Sequence, residues 1–215
     1  MGNSELASIE HCGIVAVVRA DEKTKAIQIA KSCIKGGIHA IEVTFTIKGA
    51  TQVIEALAET YQHQADIHIG AGSVLDAITA RIAILAGATF IVSPQFNEEV
   101  AKLCNLYTIP YIPGCMTIKE MTTALECGVE AIKLFPSDLY QPSMIKAVKA
   151  PLPQVKIIPT GGIHLDNIGD WLKNGASAVG VGGKLIAPAE EGNYEEITRL
   201  AIQYTTKVKQ VRGEG

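Results

Sequence analysis

Charge of one sign, long apolar runs, paired cysteines and aromatic side chains are all scarce in this chain. Lysine and arginine number 19 against 22 acids, a net charge of -3 with the signs interspersed. That leaves no basic stripe for nucleic acid. No apolar run approaches the roughly 20 residues that cross a bilayer. Met1 to His11 is polar and lacks the apolar core of a signal peptide, so a cytoplasmic protein is expected. The five cysteines, Cys12, Cys33, Cys104, Cys115 and Cys127, form no C-x-x-C pair and have no histidine at metal-ligand spacing. A disulfide framework and a zinc site are therefore not expected, and the apolar neighbours of most of them read as reduced, buried thiols. No linker, low-complexity tract or charge block divides residues 1–215, which predicts a single domain.

What the chain does have is alternation. Short β-rich runs fall at 14–18, 40–44, 67–70, 90–92, 109–112, 131–135, 156–159 and 178–181. Helical patterns separate them at 22–35, 50–61, 77–86, 98–104, 118–126, 143–149 and 166–173, and a last one covers about 194–209. Several end in glycine (Gly36-Gly37, Gly87, Gly128, Gly175), as helix C-termini often do. Parallel strands need crossover connections, so the alternation implies an α/β protein with a parallel sheet. Periodicity alone does not choose between a closed barrel and a doubly wound sheet. The count of eight, and the lack of a G-x-G-x-x-G at the first helix, favour a (β/α)8 (TIM) barrel with its core at about 14–186.

In such a barrel the chemistry sits where strands end. There the sequence places Arg19; Glu42 with Thr44 and Thr46; Gly70-Ala71-Gly72-Ser73; Ser93-Pro94; and Pro113-Gly114. Lys133-Leu134-Phe135-Pro136, Pro159-Thr160-Gly161-Gly162 and Gly180-Val181-Gly182-Gly183 complete the rim. Lys133 stands out within Ala131-Ile132-Lys133-Leu134-Phe135. Alternation sets Ile132 and Leu134 on one face and Lys133 on the other. If the aliphatics face the helices, the lysine points into the barrel. Desolvation there disfavours the ammonium and frees an amine to attack a carbonyl. Glu42, in Ala40-Ile41-Glu42-Val43-Thr44, is inward by the same pattern and suits a proton-transfer role. A snorkelling lysine, or a purely structural Glu42–Lys133 ion pair, is the plainer alternative. Lys156 starts its strand at the opposite rim, Lys184 follows the last strand in a glycine turn, and His164 reads as a helix-start residue. The glycine ends after the last two strands suit an anion, because backbone N–H groups can approach phosphate oxygens there.

Taken together, Ile41-Glu42-Val43-Thr44, Gly70-Ala71-Gly72-Ser73-Val74, Ile91-Val92-Ser93-Pro94, Ile112-Pro113-Gly114, Ile132-Lys133-Leu134-Phe135-Pro136, Pro159-Thr160-Gly161-Gly162 and Val179-Gly180-Val181-Gly182-Gly183 resemble the 2-keto-3-deoxy-6-phosphogluconate (KDPG) and 4-hydroxy-2-oxoglutarate (KHG) aldolase family. The resemblance implies a metal-independent class I aldolase, active as a homotrimer without a cofactor. It would cleave 2-dehydro-3-deoxy-6-phosphogluconate to pyruvate and glyceraldehyde 3-phosphate, or KHG to pyruvate and glyoxylate. It makes Lys133 the Schiff-base nucleophile and Glu42 the proton-transfer residue. Ser73 and Pro94 would lie at the pyruvyl end with Thr44 close by, Thr160 beside the Schiff base, and Gly161, Gly162, Gly182 and Gly183 at the phosphate end. Many members carry an arginine where this chain has Thr46. Arg19 is the expected replacement, unless it only caps its strand. The rival readings are a phosphosugar isomerase or epimerase, and a non-catalytic barrel that binds a phosphorylated ligand.

Overall fold

Nine short strands make an eight-membered ring: Ile14–Val18 (β1), Ala40–Thr44 (β2), His68–Gly72 (β3), Ile91–Val92 (β4), Tyr111–Ile112 (β5), Gly114–Cys115 (β6), Ala131–Leu134 (β7), Lys156–Pro159 (β8) and Val179–Val181 (β9). In the computed structural model, which describes residues 4–213, every pairing is parallel. One sheet runs β5-β4-β3-β2-β1-β9 and the other β6-β7-β8. β5 and β6 are a single barrel strand broken at Pro113, which has no N–H to give to a ladder. The ring is carried across the break by Lys133 N–H donating to Pro113 O at 2.8 Å and Gly114 N–H donating to Ser93 O at 2.9 Å. It closes between β8 and β9 through the Thr160–Gly180 bridge and the Ser177 N–H to Ile157 O bond of 2.9 Å. The barrel expected from the count of eight is the architecture found.

The helices are Ser4–Cys12 (α1), Lys23–Lys35 (α2), Ala50–Tyr61 (α3), Ala77–Leu85 (α4), Glu98–Tyr107 (α5), Ile118–Glu126 (α6), Ser143–Lys149 (α7), Ile168–Lys173 (α8), Gly183–Ile186 (α9) and Tyr194–Arg212 (α10). Side chains that satisfy orphan N–H groups fix several starts. Asp76 caps α4, Asn97 caps α5 and Asn193 caps α10, while Thr117 and Glu120 form a reciprocal capping box on α6. Among the described residues, no helix is long and apolar enough to cross a membrane.

Strand alternation sorts the core into two parts. Outward residues such as Ile14, Val18, Ile41, Val43, Ile132, Leu134 and Val181 pack under the helices. Inward Val15, Ala40, Phe90, Val92, Ile112, Ala131, Ile158 and Ala178 form a separate interior cluster. Its floor is a helix that the sequence reading did not contain. α1 turns the inside of the barrel's lower mouth away from water with Leu6 and Ile9, 2% and 0% exposed. Each such side chain contributes about 1.5–3 kcal/mol by burial.

Three of the five cysteines, Cys33, Cys104 and Cys115, are buried free thiols, and burial pushes each up to about 12. They are inert by desolvation, as the sequence suggested.

Candidate active site

β7 aims Lys133 into the barrel because Ile132 and Leu134 take the helix-facing side. β2 does the same for Glu42 between Ile41 and Val43. The two strands lie on opposite parts of the ring, and their side chains meet in the middle. Lys133 Nζ donates to Glu42 Oε1 at 3.2 Å and lies 3.5 Å from Oε2. The lysine is 6% exposed and the glutamate 3%. The Phe135 ring sits 5.2 Å from the ammonium, within reach of a cation–π attraction.

Two glycines make space for this pair. A Cβ at position 72 would overlap Oε1 of Glu42, and one at position 180 would overlap the Thr160 hydroxyl. Below the pair, Val15, Phe90, Val92, Ile112 and Ile158 leave a void of only about 10 Å3, so reactants cannot enter from underneath.

Above it opens a cavity of about 330 Å3. Its walls include Val17, Arg19, Phe135, Thr160, Gly161, Gly162, Gly180, Gly182 and Gly183. Thr160 and Gly180 line both this cavity and the Glu42–Lys133 void, so they connect the two. Gly161 and Gly162 adopt φ of 103° and 68°, values that L side chains resist, and this turns their backbone into the loop shape seen. A Cβ at Gly183 would meet nothing within 4 Å, consistent with a backbone open to the cavity.

The structure thus gathers Arg19, Thr160, Gly161, Gly162, Gly182 and Gly183 around one cavity, with Lys133 and Glu42 beneath. The other sequence-derived residues lie elsewhere on the rim. Gly72, touching Glu42, leads directly into Ser73, a half-buried residue at φ 58°. Pro94 is half-buried after β4, and its neighbour Ser93 donates its hydroxyl to Val74 O. Thr44 is fully buried. Its hydroxyl donates to Val18 O at 3.0 Å, leaving Thr46 to donate to it at 2.9 Å. Thr44 therefore braces the ends of β1 and β2, and Thr46 rather than Thr44 faces solvent. Arg19 stands with the glycine loops.

Three residues escaped the sequence reading. His164 and Lys184, taken for a helix start and a turn, both line the cavity; α8 begins only at Ile168, so His164 belongs to the loop. Ser137 is fully buried behind the lysine strand. It donates to Leu134 O at 2.7 Å, and its Oγ accepts from Thr160 N–H at 2.7 Å, locking the end of β7 to that of β8. A serine directly after the Phe135-Pro136 strand end was the only signal for it.

The family model described as "KDPG and KHG aldolase" matches residues 7–200. The chain belongs to this aldolase family. A 2-dehydro-3-deoxy-phosphogluconate aldolase of Treponema pallidum is 36% identical over 200 residues, 91% of this chain and 93% of that one. A KHG/KDPG aldolase of Escherichia coli is 33% identical over 192 residues, covering 87% and 88%. The crystal structure of a KDPG aldolase from Legionella pneumophila, with pyruvate captured as a covalent carbinolamine, superposes with a TM-score of 0.84 at 30% identity, over 93% of this chain and 97% of that one. Family membership thus rests on nearly the whole barrel, including the strands that carry Glu42 and Lys133.

Proposed function

We propose that this aldolase-family protein cleaves 2-dehydro-3-deoxy-6-phosphogluconate to pyruvate and glyceraldehyde 3-phosphate through a Schiff base on Lys133, and that KHG is a second substrate. The observation that carries the reading is the buried Lys133–Glu42 contact of 3.2 Å directly beneath a glycine-walled cavity. The lysine is held by packing and by its carboxylate partner, so attack on a carbonyl lowered through the cavity needs little reorganisation.

Glu42 takes a proton from Lys133, and the free amine adds to C2 of the 2-oxo acid to form a carbinolamine. The carbinolamine hydroxyl leaves as water with a proton from Glu42, giving an iminium. Glu42 then removes the C4 hydroxyl proton, the C3–C4 bond breaks, and its electron pair flows to the iminium nitrogen. Glyceraldehyde 3-phosphate departs, leaving an enamine. Protonation at C3 and addition of water release pyruvate and regenerate the amine. Thr160 borders the reacting carbon, Ser73 and Pro94 serve the pyruvyl end, and Gly161, Gly162, Gly182 and Gly183 take the phosphate. The amine is the electron sink, so the proposed cycle uses no metal or cofactor.

The chain is proposed to work as one barrel domain in the cytoplasm, where the free thiols of Cys33, Cys104 and Cys115 would stay reduced. A homotrimer is also proposed. Supporting it, Ile78, Ile82 and Leu85 form an exposed stripe on α4, beside Leu106 and Tyr107 on the neighbouring α5. A sedimentation mass of one chain would overturn it.

Borohydride added in the presence of pyruvate should leave a secondary amine on Lys133, mapped by peptide mass, with and without EDTA. A wild-type protein that traps nothing, or a Lys133→Ala variant that traps as well as wild type, would sink the aldolase reading.

A further inference from the structure

Two cations stand on the cavity wall with no acid to neutralise them. Lys25, Lys102, Lys133 and Lys156 each hold a carboxylate. Lys184 and Arg19 are exposed and, among the described residues, neither is paired with one. Both line the 330 Å3 cavity. They come from adjacent strand ends, because β1 and β9 are paired and a Cβ at Gly182 would sit 3.2 Å from Val17 O. His164 is on the same wall and is the only other titratable group in the lining; its Nδ1 lies 3.2 Å from the exposed Asp166. Asp138 packs against Gly161 and Gly162 without lining the cavity. In a protein of net charge -3, this wall is a local positive field.

We propose that Lys184, reinforced by Arg19, is the residue that makes this cavity select a substrate ending in a phosphate dianion over one ending in a neutral or singly charged group. The inference rests on the aldolase reading and assigns that site its charge selectivity. Glycine loops supply backbone N–H groups whose fit is largely geometric. An ammonium adds a charge-dependent attraction, which grows with the charge of the ligand and weakens as salt screens it. Exposure limits the size of the effect, so selectivity rather than turnover is where Lys184 should register.

The test uses Lys184→Met and Lys184→Arg in the full-length protein. Lys184 is exposed and its neighbour Leu185 supplies the buried contact, so the fold should survive either change. The readouts are the Ki of inorganic phosphate against the phosphorylated substrate, and the ratio of kcat/KM for that substrate over KHG, each at low and high salt. Lys184→Met should raise the phosphate Ki and lower the ratio by about tenfold at low salt, with the gap narrowing at high salt, and Lys184→Arg should restore both. A Ki and a ratio that stay within about twofold of wild type in Lys184→Met would overturn the proposal, as would an equal loss at all salt concentrations. If wild type traps no pyruvate with borohydride, the aldolase reading fails. Direct titration with inorganic phosphate then still decides whether Lys184 builds an anion site.

Discussion

The lower and upper halves of the barrel interior are built on opposite principles. Below, Leu6, Ile9, Val15, Ala40, Phe90, Ala131 and Ala178 interlock in a dry, apolar plug. Above, the same strands present Glu42, Lys133 and Thr160, all buried polar groups. The lower half contributes stability by removing apolar area from water. The upper half carries two desolvated charges, whose attraction must offset the cost of taking them out of water. Residues only two positions apart along one strand, Ala40 and Glu42 or Ala131 and Lys133, therefore serve different ends. Function occupies the layer where packing alone would have chosen something else.

Making the upper layer resemble the lower one tests this contrast most severely. Glu42→Met with Lys133→Met should abolish turnover and borohydride trapping. At the same time, denaturant midpoints should hold or rise by about 1–4 kcal/mol, as when a buried ion pair is replaced by apolar groups of similar volume. Lys133→Met alone leaves a buried carboxylate without its partner and should cost about 3–5 kcal/mol. A double variant less stable than the single one would mean that the pair is there to hold the fold.

A smaller change sharpens the same comparison through geometry. Gly72 and Gly180 leave the room that Glu42 and Thr160 fill. Gly72→Ala should push the carboxylate out of place, lowering kcat by about 10²-fold, the usual penalty for a misplacement of about 1 Å. Lys133 should still form the pyruvate adduct, only more slowly. Unchanged kcat would show that Glu42 moves freely and is not held for proton transfer.

Much of this contrast was legible in the chain. β1, β2, β8, α3, α6 and α7 have the bounds that periodicity and turn residues suggested, because alternation and capping are local. The inward directions of Glu42 and Lys133 followed from the aliphatics flanking them. β3 runs to Gly72 where the glycines had been read as the start of a turn, since pairing with β2 extends to Thr44–Gly72. α1 was missed because Leu6 and Ile9 are its two core contacts in a polar segment, and their value depends on a barrel mouth that only the closed ring creates. His164 and Lys184 were misjudged for a related reason. Strand periodicity says nothing about loops past the strand, and what those side chains face is set by neighbours far away in sequence.

The mildest effect should come from the barrel's lower end, where one titratable group intrudes. His68 starts β3 and is buried, with Nε2 lacking a hydrogen-bond partner. Burial holds its imidazole below the ordinary 6.5, outweighing Glu5 and Asp66, which act to raise it, while His39 adds to the lowering. The unfolded chain therefore binds a proton at His68 before the folded chain does. Stability from this group is full above 6.5 and drains as pH falls toward the lower folded value, by no more than ~1.4 kcal/mol per pH unit. Thermal melts of wild type between about pH 7.5 and 5.5 should lose more than those of His68→Leu, whose curve should be flatter in that window. Glu42 and Lys133 lie a layer above, so borohydride trapping of pyruvate at neutral pH should differ little between the two proteins. Parallel melting curves would mean that the lower plug relaxes to admit the charged ring, and the division of the barrel into a dry half and a polar half would be less sharp than its packing suggests.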